Sequence, residues 1–262
     1  LASGKHSFAE VLKKAERPLV LVGVSATSRA DGAAILAQAA KLAVDIGAVK
    51  DGWNGFGVLH GTASGVGALD IGFVPGEGDL TAAQMSAAGG VDVLFSLGAD
   101  EVNVADGAFV VYIGTHGDRG AHRADVILPG AAYTEKSGLY VNTEGRAQMT
   151  NRAGFPPGEA REEWAILRAL SDTLGHKLPF DTLAALRQLV FKAAPHLMRL
   201  DQVDAADAAA VRTLAGRGGK ADAAPFKPAY ASYYLTNPIA RASAVMAECS
   251  RLASGQMLTA AE

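Results

Sequence analysis

The chain has 262 residues, 49% hydrophobic and 19% charged, a balance that excludes a disordered chain and can bury a core without metal or disulfide staples. Its formal net charge of −3 argues against a nucleic-acid binder, which carries a basic face. Its one cysteine, Cys249, cannot form an internal disulfide or supply the four thiolates of an iron–sulfur site, and cysteine this sparse fits a cytoplasmic or matrix compartment.

The chain opens Leu1-Ala2-Ser3-Gly4, with neither an initiator methionine nor the zones of a signal peptide, so an internal or processed start is expected. Leu19-Val20-Leu21-Val22-Gly23-Val24 is a continuous apolar run, which predicts a strand buried on both faces of a parallel sheet. Ser25 to Ser28 form a polar turn. Asp31 is placed to cap a helix running to about Gly47, with Ile35, Leu36, Ala39, Leu42, Ala43 and Ile46 on its inner side. Residues 52–78 are Gly-rich and aperiodic, and predict a functional loop or an interaction surface. The stretch from Gly52 to Leu69 lacks Asp, Glu, Lys and Arg but contains six glycines, so it is not the apolar run of a membrane span.

A helix is expected over Leu80–Ala88, closed by Gly89-Gly90, then strands over 91–97, 109–113 and 124–128. This alternation predicts an α/β fold built on a doubly wound, mostly parallel sheet. From Pro157 the texture turns helical, with expected helices over 159–174, 182–194 and 205–214. Residues 216–228 read as a linker. Tyr230–Leu235 reads as extended, and Asn237-Pro238 opens a last helix over Ile239–Leu252. The expected organisation is an α/β domain over 1–178, followed by a helical C-terminal region over 179–262.

Chemistry is sparse. After the first strand, Gly23-Val24-Ser25-Ala26-Thr27-Ser28 has one glycine where a dinucleotide fingerprint needs three, and no phosphate-loop motif occurs elsewhere. Gly61-Thr62-Ala63-Ser64-Gly65 has its serine one place late for a nucleophile elbow. His116, Asp118 and His122 share a loop, but zinc sites gather more ligands at tighter spacing. The densest polar stretch is Thr134 to Gln148, where Glu135, Glu144 and Arg146 are placed to form an ion-pair network. It reads equally as a cofactor-facing loop or as a polar plug.

Ala124-Asp125-Val126-Ile127-Leu128-Pro129, Thr134-Glu135-Lys136-Ser137-Gly138 and Asn142-Thr143-Glu144-Gly145-Arg146-Ala147-Gln148 together resemble the signature shared by molybdopterin oxidoreductases and the large iron–sulfur subunit of respiratory complex I. The tail Tyr233-Tyr234-Leu235-Thr236-Asn237-Pro238-Ile239-Ala240-Arg241-Ala242-Ser243 is similar to the C-terminus of that subunit. The resemblance covers roughly His6 to Ala253. It implies a molybdopterin-oxidoreductase-like fold and a scaffold role in an NADH:quinone oxidoreductase. It further implies no catalytic, cofactor-binding or metal residue in this segment. Iron–sulfur clusters would lie in the N-terminal part of the same subunit and FMN in a partner subunit. The expected partners are other peripheral-arm subunits, with no nucleic acid and no direct membrane insertion. The expected location is the cytoplasmic side of the bacterial inner membrane or the matrix side of the mitochondrial one. The alternative is a fragment of an active enzyme such as formate dehydrogenase, in which Thr115 and the loop after Leu97 would contact the pterin.

Overall fold

In a computed structural model, residues 5–204 and 207–255 are described. The chain first forms α1 (Ala9–Lys14), β1 (Val20–Val22), α2 (Val24–Thr27), α3 (Gly32–Asp45), β2 (Val49–Lys50), β3 (Trp53–Asn54) and β4 (Phe56–Val58). There follow α4 (Gly65–Asp70), α5 (Ala82–Met85), β5 (Val93–Leu97), β6 (Phe109–Gly114), α6 (Arg119–Arg123) and β7 (Val126–Pro129). The remainder is β8 (Leu139–Val141), β9 (Ala147–Met149), α7 (Glu163–Thr173), α8 (Leu183–Ala193), α9 (Ala208–Gly216), α10 (Pro238–Arg241) and α11 (Ala244–Ala253). These elements fall into two compact units, neither continuous in sequence. One gathers the described residues up to Asp70 with Tyr140–Gln148 and Leu197–Ala229; the other gathers Ile71–Leu139, Met149–His196 and Tyr230 onward.

In the first unit, β1 and β4 pair in parallel, Val20 beside Phe56 and Val22 beside Val58. The strand β4 lies inside the stretch expected to be aperiodic. Gly55 makes it possible: a Cβ there would stand 2.1 Å from the Pro18 carbonyl oxygen. The Val20 N–H donates to the Gly55 carbonyl at 2.7 Å. The strand β1 is sheltered on one face only, with Val22 buried and Leu21 53% exposed, which corrects the expectation of burial on both. The expected polar turn after it closes instead into the single helical turn α2.

Helix α3 ends at Asp45, and Gly47 just beyond it turns the chain with a φ of +70° that is costless for glycine and strained for other residues. Its buried face is Ala34, Ala37, Ala40 and Ala43; of the residues expected there, Ala43 is buried and Ile46 packs against the same cluster, whereas Ile35, Leu36 and Leu42 are only partly buried. The reason is its neighbour: α9 packs against α3, bringing Val211 into a cluster with Ala40, Ala43, Ala48 and Val49. Methyl side chains let two helix backbones approach closely, so the small stripe is the contact. Residues 217–228 then run irregularly back along α3. A Cβ on Gly219 would lie 2.7 Å from that of Ala34.

In the second unit, β5, β6 and β7 form a three-stranded sheet, parallel throughout. Its central strand supplies Val110, Tyr112 and Ile113 to the core, each 1% exposed. The expected helix over 80–88 contracts to α5, which carries a capping box between Thr81 and Gln84. Thr182 caps α8 by accepting from the Ala185 N–H. Arg168 of α7 is buried and donates to the Phe180 carbonyl at 2.7 Å and to Asp181 at 2.5 Å. The expected last helix is two helices. Asn237 caps α10 through the Ala240 N–H, and Ser243 restarts the chain as α11 through the Met246 N–H. Tyr233–Leu235 is a 3-10 turn and not extended. The expected start of the 205–214 helix falls outside the described residues. Parallel sheets with flanking helices and a helical C-terminal region make the class α/β. Among the described residues no helix is long and apolar enough to cross a membrane.

Candidate functional site

Ligands of open α/β sheets bind beyond the carboxyl ends of the strands, so those ends are the places to inspect. In the second unit, Asp100 and Glu101 follow β5, and the loop from Thr115 to Asp118 follows β6. Tyr112 packs its ring where Gly114 and Gly120 leave room; a Cβ on Gly120 would reach it at 2.7 Å. The Tyr112 hydroxyl donates to Asp100 Oδ1 at 2.5 Å, with both residues 1% exposed. Burial, then the bond to Asp100, pushes the phenol well above its ordinary range. Asp100 Oδ2 has no hydrogen-bond partner among the described residues.

The tail reaches this same edge. Arg241, at the end of α10, donates through Nε to Asp118. Its Nη1 donates to Glu101 at 2.8 Å and to the Leu235 carbonyl at 3.2 Å. Asp118 also accepts from the Arg119 N–H at 2.8 Å. Burial alone would raise the Asp118 carboxyl, but the bonds from Arg241 and Arg119 outweigh it and hold it below the usual range. Asp118 therefore serves the arginine. His116 instead turns its Nδ1 to the Thr115 hydroxyl at 2.8 Å, and His122 lies in the last turn of α6. Among the described residues no three His, Cys, Asp or Glu side chains gather as metal ligands.

The first unit repeats the pattern with other residues. Beyond β1, Arg29 forks onto Asp31, Nε to Oδ1 at 2.7 Å and Nη2 to Oδ2 at 3.0 Å. It also donates to the carbonyls of Ala224 at 2.7 Å and Asp222 at 3.3 Å, and sits 5.0 Å from the Phe226 ring centre. Asp31 occupies the capping position of α3, yet its carboxylate caps nothing. It accepts the Asp222 N–H at 2.6 Å, so it ties the C-terminal strap down. The bond from Arg29, then that from Asp222, brings its pKa to about 2. A lowered carboxylate stabilises the fold above its unfolded value and loses that contribution as pH falls through the folded one. Asp31→Asn is therefore expected to be less stable than wild type above pH 4, with the gap closing by about pH 2. Thermal midpoints of the full-length protein across this range check it; a gap independent of pH refutes it.

The polar stretch from Thr134 to Gln148 is divided in its roles. Glu135 accepts the Ala132 N–H at 2.9 Å, and so is not part of the network expected with Glu144 and Arg146. Lys136 pairs with Glu163 at 2.5 Å. Asn142 Oδ1 accepts the N–H groups of Glu144 and Arg146, each at 3.0 Å, folding a turn in which Gly145 has φ +81°. Arg146 meets Glu144 at 3.4 Å and donates to the Asp201 carbonyl at 2.5 Å. Gln148 reaches the Asp201 carboxylate at 3.2 Å. Asp201 is the one non-glycine residue at positive φ among those described, and this turn holds it there.

Sequence reasoning missed Arg241, Arg29 and Asp222 as partners at the strand ends. Arg29 lies two residues from Asp31 and was open to local reading, but no spacing could have revealed the others, since Arg241 and Asp118 are 123 residues apart and Asp222 and Asp31 are 191 apart.

The molybdopterin oxidoreductase family matches residues 1–173, and a family formed by the C-terminal part of an NADH-ubiquinone oxidoreductase subunit matches residues 200–249. The chain is 42% identical over 256 residues to the mitochondrial NADH dehydrogenase [ubiquinone] iron-sulfur protein 1 of Solanum tuberosum, covering 96% of this chain and 34% of that one. It is 39% identical over 255 residues to the NADH-ubiquinone oxidoreductase 75 kDa subunit of Reclinomonas americana, covering 96% and 36%. It is 40% identical over 253 residues to the mitochondrial NADH-ubiquinone oxidoreductase 78 kDa subunit of Neurospora crassa, covering 93% and 33%. The chain thus spans about a third of the length of these curated relatives.

A pterin of the kind the first family's name implies carries phosphate, and the strand ends do not suit it. Those of the second unit present the carboxylates Asp100, Glu101 and Asp118, and Arg241 is committed to two of them. In the first unit Arg29 is committed to Asp31 and to the strap. An added anion would meet like charge at these edges; Arg29 is engaged throughout, and Arg241 keeps only its Nη2 without a partner among the described residues.

Proposed function

The chain belongs to the molybdopterin oxidoreductase family, and we propose that it is the C-terminal structural segment of the large iron–sulfur subunit of an NADH:quinone oxidoreductase. In that assembly electrons pass from NADH through FMN and iron–sulfur clusters to quinone, coupled to proton translocation. In this reading the FMN lies in a partner, and the clusters belong to the rest of the subunit, because a chain with the single thiol Cys249 cannot ligate a four-thiolate cluster. We assign this segment no catalytic, cofactor-binding or metal-ligating residue. Its task is to hold neighbouring peripheral-arm subunits and cluster-bearing domains at fixed separations, on the cytoplasmic or matrix side of the inner membrane. The observation that carries the reading is Arg241, whose ion pairs with Glu101 and Asp118 seat the tail across the edge where an active sheet would bind its ligand. The relatives named above favour this reading over a formate dehydrogenase.

We retain the division after residue 178 as part of the same proposal, supported by a first family match that ends at 173 and a second that begins at 200. The test is metal analysis of the full-length native protein. Abundant iron without molybdenum or tungsten is the expected result. Stoichiometric molybdenum or tungsten would replace the structural role with a catalytic one.

A further inference from the structure

The parallel sheet of the second unit leaves the β5 end of one face open. Register places Leu94, Ser96, Val110, Tyr112 and Ile127 on the same face; Ser96, Val110 and Tyr112 are buried there, and only Ile127, on the far strand β7, is 53% exposed. The opposite face carries Val93, Phe95 and Leu97 of β5, with Phe109 and Val126 beside them. All five are between 38 and 51% exposed, although Val111 and Ile113 between them are buried. The opening is therefore the flank of β5, which is also an edge strand of the sheet.

Parallel strands are found with both faces covered, because each crossover lays a helix on one side or the other. An alternating row of Val, Phe and Leu standing half in water is a surface made for burial. The first unit shows the same shortfall. Its parallel sheet has two strands among the described residues, and Leu19 and Leu21 are 57% and 53% exposed. Two strands alone are marginal in water. The β5 flank is apolar along its length, so its occupant is another apolar face and not a charged ligand.

The lengths of the relatives say where that face comes from. The chain matches about a third of each, and its residues 200–249 match a family described as C-terminal. Most of the length of those proteins therefore precedes the matched region. We propose that an amphipathic helix from the polypeptide N-terminal to this segment in the full-length protein packs on the Val93–Phe95–Leu97 flank of β5 and completes the second layer of the sheet. This rests on the reading of the chain as part of that longer subunit. Helices that cover a parallel sheet come from the connections of the same chain, which favours this source over a partner subunit or a second copy.

The experiment uses the full-length subunit in its assembled complex, with Phe95 replaced by a photo-crosslinking phenylalanine. Irradiation is expected to join position 95 to a peptide of the same polypeptide preceding residue 1 of this segment. In parallel, Val93→Cys is expected to resist maleimide under native conditions and to react after denaturation, with labelling mapped by mass spectrometry to separate it from Cys249. A crosslink to another subunit or to a second copy would overturn the proposal, and so would rapid native labelling of Val93→Cys. None of those results touches the proposed function, which fails instead if the same preparation carries stoichiometric molybdenum or lacks NADH oxidation.

Discussion

Arg241→Ala is expected to free the tail of the second unit from the sheet, at a cost of about 2–3 kcal/mol. The arginine side chain is 20% exposed and Asp118 18%, so this pair is mostly shielded, whereas Glu101 is 62% exposed and contributes little. Truncation leaves Asp118 with the Arg119 N–H as its hydrogen bond and with a burial penalty opposed only by the weaker charge interaction with Arg119. The loss follows from stranding a shielded charge, which costs more than the pair contributes net. Hydrogen exchange on the full-length protein is the measurement. Amides of 233–255 should exchange roughly 30- to 150-fold faster, the equivalent of that cost at tenfold per 1.4 kcal/mol. Arg241→Lys should recover only part of the protection, because one ammonium cannot span Asp118, Glu101 and the Leu235 carbonyl as the planar fork does. Unchanged exchange in Arg241→Ala would show that the tail is held by other contacts.

Tyr112→Phe removes a single oxygen and is expected to be as damaging, at about 2–4 kcal/mol. Asp100 is 1% exposed and its Oδ1 accepts from the phenol, while Oδ2 has no partner among the described residues. Without the hydroxyl the carboxylate is buried with neither oxygen satisfied by a side chain. The decisive comparison is the double variant Tyr112→Phe with Asp100→Leu, measured by denaturant midpoint in the full-length protein. Removing both partners takes away the stranded acceptor, so the double variant should be more stable than Tyr112→Phe alone. A double variant that sums the two single losses would mean that the pair is not coupled.

Much of the α/β plan was legible because the central strand is apolar without interruption. Phe109-Val110-Val111-Tyr112-Ile113 admits few readings other than a strand buried within a sheet. The strand β4 was not legible, since a three-residue element with Gly57 at its centre shows neither alternation nor an apolar run. The inner face of α3 was only partly legible, for a definite reason. Apolar size suggested Ile35, Leu36 and Leu42, but contact with α9 selects the side chains that let two backbones come together, and those are alanines. The polar stretch 134–148 drew attention because density is visible locally. The ion pair of Arg241 with Asp118 and the hydrogen bond from the Asp222 N–H to Asp31 join residues more than a hundred positions apart, and pairing over such a distance leaves no periodic trace.

The chain passes between its two units five times, and this has a consequence for how the protein is made. The first unit needs α9 and the strap that follows it before the alanine face of α3 is covered. The second needs Arg241 before Asp118 has its partner. Neither unit can close while the last quarter of the chain is still being synthesised, so most of the nascent polypeptide must wait with apolar surface uncovered. Contacts this distant in sequence slow folding and lengthen exposure to aggregation. Premature stop codons between those for residues 208 and 241 should therefore be as harmful as stops far upstream of them, and chaperones should stay engaged with this segment until those residues have been made.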